Sequence, residues 1–284
     1  MIDRPNRRRA TTVLGDGVVR VGLAVFTVWT LAPIAWMLLS SVMKQRALTS
    51  TPPNFHAGSF TVDNYRQVLD ASHGLGQAMI HSTVIAVCTT GIALAFGSAA
   101  AYAIARLAVT GGNRIMLMVL ATQMFPGITL IIPLFILLSR AKLIDTYAGM
   151  IIVYLSFVLP IVIWILKGFF EAIPGELEKA AAIDGASTFQ TFRLVILPIS
   201  LPPLFACSIF AFIESWNEFL FAVILTRLHT KTTPVVIADF TGQYQSAFGQ
   251  MIAAATIASL PVILLAIATR RYILLGFAEG AIKG

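Results

Sequence analysis

Along the chain, six long apolar runs alternate with shorter polar joints. The runs cover roughly Val21–Val42, Ala78–Ile104, Ile115–Leu138, Tyr147–Leu166, Pro203–Leu225 and Met251–Ala268. Each is close to the roughly 20 apolar residues that a helix needs to cross a bilayer. The pattern predicts an all-α polytopic membrane protein with six transmembrane helices. The second run is dense in small residues (Gly91, Gly97, Ser98, Ala99, Ala100, Ala101), which suits close helix contact in lipid. Pro126 and Pro133 predict a third span that is kinked or broken, and Pro160 lies inside the fourth.

The joints differ in kind. Residues 1–20 form a basic arm, read as lying outside the fold. Residues 21–275 form the membrane domain, and 276–284 a short tail. Two hydrophilic regions, Lys44–Gln77 and Thr226–Gln250, fall on one side. In the first, Thr51-Pro52-Pro53-Asn54 marks a turn, and a short helix begins near Thr61–Tyr65 with Thr61 or Asp63 as its cap. On the other side Gly111-Gly112 turns a tight basic loop, Arg106–Arg114. The joint between the fourth and fifth runs stands apart: Glu178–Pro198, EKAAAIDGASTFQTFRLVILP. It opens with helix formers, Glu178 to Ala182, and reaches Asp184-Gly185, a pair that stops a helix and turns the chain. A polar helix here either lies on the membrane or docks into a soluble partner. With Glu176 counted, its charges are three acids (Glu176, Glu178, Asp184) against two bases (Lys179, Arg193). A helix made for anionic lipid carries mainly Lys and Arg on its polar face, so a protein groove fits better.

Composition agrees with this reading. The 284 residues are 57% hydrophobic and 12% charged, with mean hydropathy +0.84, whereas a soluble domain is about 25% charged. A net charge of +7 is compatible with nucleic-acid binding, but the basic residues sit mainly at the ends of apolar runs. That placement fixes membrane orientation instead. Lys44, Arg46, Arg66, Arg140, Lys142, Arg227 and Lys231 fall on one side, and the other thirteen of the twenty Lys and Arg lie with the termini. The termini and the Glu178–Pro198 joint are therefore expected in the cytoplasm, where ATP is. The first run is too long for a cleaved secretory signal, and Met43-Lys44-Gln45-Arg46 offers no small-residue cleavage site. Cys88 and Cys207 fall in apolar runs and read as small hydrophobes, with neither disulfide nor metal. The phosphate-loop pattern GxxxxGK[ST] is absent, so the chain is not expected to hydrolyse ATP itself.

Few polar groups lie within the runs, and each is a functional candidate by default. Glu214 and Glu218 are four residues apart, a spacing that puts both on one helix face. With His81, Gln123 and Asn217 they either line a path for a hydroxylated solute or bond neighbouring helices together. Two rival readings use the same residues. One is a gradient-driven transporter coupled through Glu214 and Glu218, and the other an intramembrane hydrolase adding His81. Neither accounts for the cytoplasmic joint, and no third catalytic group stands at recognisable spacing.

The run Lys179-Ala180-Ala181-Ala182-Ile183-Asp184-Gly185, nine further residues, and Val195-Ile196-Leu197-Pro198 resemble the EAA signature of bacterial ABC importer permeases. Within that family the chain looks like the smaller of the two permeases of carbohydrate importers, the maltose-type group. Phe60–Tyr65, Ser215-Trp216-Asn217-Glu218-Phe219 and the ending Gly280–Gly284 add to the likeness, which covers nearly the whole chain. There are departures: Lys179 stands at the motif Glu with Glu178 one place earlier, Val195 replaces Ile, and His81 stands where Asn is the usual residue. The resemblance implies a coupling helix at about 176–187, with Glu178, Lys179, Ala180, Ala181, Asp184, Gly185 and Ala186 docking on an ATPase. It also implies a second permease making a heterodimer, two copies of a cytoplasmic ATP-binding subunit and an extracytoplasmic solute-binding protein. Lys44–Gln77 and Thr226–Gln250 would then be docking surfaces for the binding protein. No cofactor is expected on this chain; ATP and Mg belong to the partner. The setting implied is a bacterial inner membrane, and the cargo a di- or oligosaccharide, with a glycerol phosphate or its diester as the alternative.

Overall fold

The computed structural model describes residues 6–70, 74–107, 109–242 and 247–281, which are helical apart from loops and one isolated β-bridge, Met43 against Phe60. Met1–Pro5 of the basic arm and Ile282–Gly284 of the tail lie outside the described residues, as do the side chains of Arg7, Arg8, Arg9, Arg270 and Arg271. The main helices are α1 (Asn6–Ser41), α2 (Leu75–Arg106), α3 (Gly112–Ala121), α4 (Gly127–Arg140), α5 (Tyr147–Ala172), α6 (Glu176–Ile183), α7 (Leu201–Asn217) and α8 (Phe248–Ala281). Four of them, α1, α2, α5 and α8, are long and apolar enough to cross a membrane. Two bent pairs join them: Gly112–Met124 with α4 at 97°, and Thr188–Ile199 with α7 at 78°; counted as one span each, they bring the total to six.

The break in the third span falls at Pro126, which precedes α4 in an extended conformation, φ −58 and ψ 125. Proline has no N–H to continue a helix and clashes with the preceding turn. Pro133 and Pro160 are accommodated inside α4 and α5. One boundary differs from the hydropathy reading. The fifth run does not continue to Leu225 as one helix, since α7 stops at Asn217 and a separate short helix, Ala222–Leu225, follows. Helix α1 begins at Asn6, ahead of its apolar part Val19–Ser41, and α8 extends past its own apolar part, Phe248–Thr269, to Ala281.

The chain divides into two units, Met1–Asp70 with Phe240–Ile257, and Ala71–Asp239 with Ala258–Gly284. In the first unit the polar stretch after α1 is a folded cap. The buried Asn64 amide donates to the Ser41 and Met43 carbonyls at 2.9 Å each, and the Tyr65 hydroxyl pairs with Ser41 Oγ at 2.7 Å. Gly249 lies against that amide: a Cβ there would stand 2.8 Å from Asn64 Nδ2. The expected helix near Thr61 is present as Asp63–Leu69, with Thr61 Oγ1 accepting from the Asp63 N–H at 3.1 Å.

In the second unit α2 packs along α5 and against α7. Its small-residue face makes this possible. A Cβ on Gly97 would stand 2.9 Å from Val162 Cγ1, so the two backbones approach as closely as glycine permits. One apolar cluster gathers Ala93, Ala101, Tyr102, Val162, Leu166 and Phe170, with Cys207 buried among them as a free thiol. A second gathers Ile85, Met150, Val153, Tyr154, Phe221 and Leu225.

Candidate functional site

The joint read as a docking element is a helix with a defined end. α6 runs Glu176–Ile183, and Gly185 follows at φ +83. The Ala186 N–H donates to the Ala181 carbonyl (2.9 Å) and the Gly185 N–H to that of Ala182 (3.1 Å). This paired pattern ends a helix with a left-handed residue, which glycine adopts without steric cost. The chain restarts at once. Ser187 Oγ accepts from the Gln190 N–H at 3.4 Å, and Gln190 Oε1 accepts from the Ser187 N–H at 2.8 Å, a reciprocal cap on Thr188–Thr191. A π-helical turn, Phe192–Ile196, then leads toward α7.

The candidate docking residues separate by face. Ala181 is buried, Glu178 half-buried, and Ala186 partly covered; Lys179, Ala180, Asp184 and Gly185 are exposed. Ile183 at the tip is 86% exposed and Phe189 beyond the turn 68%, so the outward surface is apolar and flanked by charge. Glu178 faces the bundle. Its Oε1 accepts from the Tyr102 hydroxyl at 2.9 Å, and its Oε2 lies 3.7 Å from Arg106 Nε.

A second feature is a cavity of about 290 Å³ within the second unit, lined among others by Gln123, Tyr154, Phe210, Glu214, Ser215 and Glu218. Gln123 Nε2 donates to the Phe157 carbonyl at 3.1 Å, which holds the amide at the wall. Glu214 and Glu218 reach this cavity by different routes. Glu218 is not on the α7 face with Glu214, because it sits past the helix end in an extended conformation, φ −64 and ψ 125. Its carboxylate accepts from the Phe221 N–H at 2.7 Å and the Ala222 N–H at 3.0 Å, capping the short helix that follows. His81 does not line the cavity: its Nδ1 is 2.6 Å from the Tyr147 hydroxyl. Asn217 is exposed and outside it too.

Asp145 was not singled out from sequence. At φ +56 in the loop before α5, it accepts from the backbone N–H groups of Arg227, Leu228, His229 and Thr230 and from Thr230 Oγ1, all at 2.9–3.1 Å. Burial pushes this carboxyl up, but the hydrogen bonds outweigh it and hold the group down at about 2. Asp145 thereby fixes the start of the second hydrophilic loop, of which Gln243–Ser246 lie outside the described residues. An aspartate just ahead of an apolar run was the available signal, but its partners lie more than 80 residues away.

The chain matches the binding-protein-dependent transport system inner membrane component family over residues 93–274. It is 37% identical over 280 residues to the trehalose transport system permease protein SugB of Mycobacterium tuberculosis, covering 98% of this chain and 99% of that one. It is 33% identical over 267 residues to the trehalose/maltose transport system permease protein MalG of Thermococcus litoralis, covering 93% and 95%. In fold it is similar to a solved chain of a bacterial ABC transporter involved in the import of the acidic polysaccharide alginate, with a TM-score of 0.72, 22% identity and coverage of 96% of this chain and 100% of that one. A six-run helical chain with a capped polar helix between its fourth and fifth spans, matched end to end by such relatives, belongs to the binding-protein-dependent transport system inner membrane components, the membrane permease subunits of ABC importers.

Proposed function

We propose that this chain is the smaller permease of a heterodimeric, ATP-driven carbohydrate importer and that α6 is its coupling helix. The observation that carries the reading is the outward surface at the end of α6: Ile183 stands exposed with Lys179 and Asp184, and Phe189 is exposed just beyond the turn, while the inner face of the helix is anchored. An exposed apolar tip rimmed by charge is what a protein groove takes up. Two copies of a cytoplasmic ATP-binding subunit, carrying ATP and Mg, would seat the coupling helices of the two permeases. Their closure would then switch the pair between inward- and outward-facing states. Both termini and α6 lie in the cytoplasm in this reading, and a solute-binding protein docks on the opposite side, with Lys44–Gln77 and Thr226–Gln250 each a candidate surface for it. This chain contributes no catalytic group and binds no cofactor.

The solute path passes Gln123, Glu214 and Glu218. Their cavity has aromatic walls, two carboxylates and no Lys or Arg among its lining residues. Such a lining suits a neutral polyol, whose hydroxyls donate to carboxylates and whose apolar faces lie on rings. It disfavours a phosphate, which needs cations or clustered donors. Two relatives are named for trehalose or for trehalose and maltose, which supports a di- or oligosaccharide over a glycerol phosphate. The test is uptake into vesicles carrying the reconstituted importer. ATP-dependent accumulation of a radiolabelled disaccharide that excess glycerol phosphate does not compete away is expected. Uptake that is driven by an ion gradient without ATP, or displaced by glycerol phosphate alone, contradicts the reading.

A further inference from the structure

The polar segment between α5 and α7 is held to the end of α2 at three points, all made by two residues. Tyr102 and Arg106, four apart, share one face of the last turn of α2. At the entrance, the Arg106 guanidinium donates to the carbonyl of Ile173, the residue that ends α5. At the helix, Glu178 receives the Tyr102 hydroxyl at 2.9 Å and faces Arg106 Nε at 3.7 Å. At the exit, Phe192 lies on the Tyr102 ring with centroids 4.9 Å apart, while Phe170 meets that ring edge-on at 6.1 Å.

We infer that Tyr102, Arg106 and Glu178 form a clamp that makes α6 and α2 move as one body, so that α2 carries motion from the coupling helix into the bundle. This rests on the reading of α6 as the ATPase-docking element. Three observations carry it. Pro174 and Gly175 join α5 to α6, and Arg106 bridges that joint by holding both the Ile173 carbonyl and Glu178. The side chains of Arg106 and Glu178 are only 16% and 23% exposed, so their attraction is screened less than that of a surface pair. And α2 packs on both α5 and α7, so a displacement of its end is delivered to the whole core of this unit. The clamp also gives Glu178 a role distinct from its neighbour's. The acid points inward as a positioning residue, while Lys179 is exposed on the docking side.

The test uses the complete importer in vesicles and reads solute taken up per ATP hydrolysed, which separates coupling from folding. Glu178→Gln, with the ATPase still co-purifying, is expected to lower this ratio about tenfold, the scale of one lost charge-assisted hydrogen bond. Tyr102→Phe, which keeps the ring contacts, lowers it less. An unchanged ratio in Glu178→Gln would overturn the clamp while leaving the docking of α6 intact. Failure of the unaltered chain to bring down an ATPase would overturn the docking reading and the clamp with it. If Glu178→Gln does not assemble, a second preparation decides. Arg106→Cys with Glu178→Cys, in a chain where Cys88 and Cys207 are alanine, is assembled and then bridged by a short thiol cross-linker. Bridging is expected to restore uptake per ATP, because the clamp stays closed through the cycle. Arrest of transport by the bridge would show that α6 must move relative to α2, and would refute the inference.

Discussion

Gly185 is the residue on which the end of α6 turns. No atom outside its immediate neighbours lies within 4 Å of the position a Cβ would occupy, so a side chain there meets no clash. The cost is conformational: at φ +83 a β-branched residue is strained by about 1–2 kcal/mol. Gly185→Val is therefore expected to fray the Ala181–Ala186 turn and depress uptake while the protein still inserts and folds; normal uptake with a normally bound ATPase would remove the coupling role. Asp145 makes a different kind of prediction. Its folded value of about 2 lies below its ordinary 3.8, so the ionised form is the one the loop stabilises. That contribution is fully present above the ordinary value and fades as pH falls toward about 2. The melting temperature of Asp145→Asn in detergent should accordingly fall below that of the unaltered chain at neutral pH, with the gap closing between about pH 4 and about pH 2. A gap that does not change with pH would mean that the carboxylate is not what holds Arg227–Thr230.

Among the elements, α2 and α5 form the contact that organises the second unit, and Gly97 sets their distance. Gly97→Ala places a methyl 2.9 Å from Val162 Cγ1 and is expected to destabilise by about 1–3 kcal/mol; Val162→Ala in the same chain should recover part of the loss. Simple additivity of the two changes would refute the contact. The elements legible in the sequence are those with a local cause. Six apolar runs gave the spans, Pro126 the break before α4, and Asp184-Gly185 the end of α6. The end of α7 was not legible, because Asn217 and Glu218 are followed directly by another apolar run, Phe219–Leu225, and no glycine or proline marks the stop. What ends the helix is the Glu218 carboxylate turning to cap the next one, a contact that hydropathy does not register. For the same reason the pair spaced like a shared helix face meets only at the cavity. The Asp145 anchor and the Tyr102–Arg106–Glu178 clamp join residues 72 to 85 positions apart, and a single sequence contains no local trace of them.

For the whole molecule, the proposed importer joins this permease to a second permease and to a separate ATPase. The described residues include α1, which is exposed from Val19 to Leu39 apart from a half-buried Met37, and an outward apolar tip at Ile183, both surfaces suited to lipid or to other subunits. The most direct test is to purify the tagged chain from its native membrane under mild detergent and identify by mass spectrometry what comes with it. The account predicts a second, related permease and an ATPase with a phosphate-binding loop, in the ratio of one to two, with the ATPase lost on Gly185→Val or on charge reversal at Lys179. Recovery of the chain alone, still moving a solute in vesicles without ATP, would contradict it.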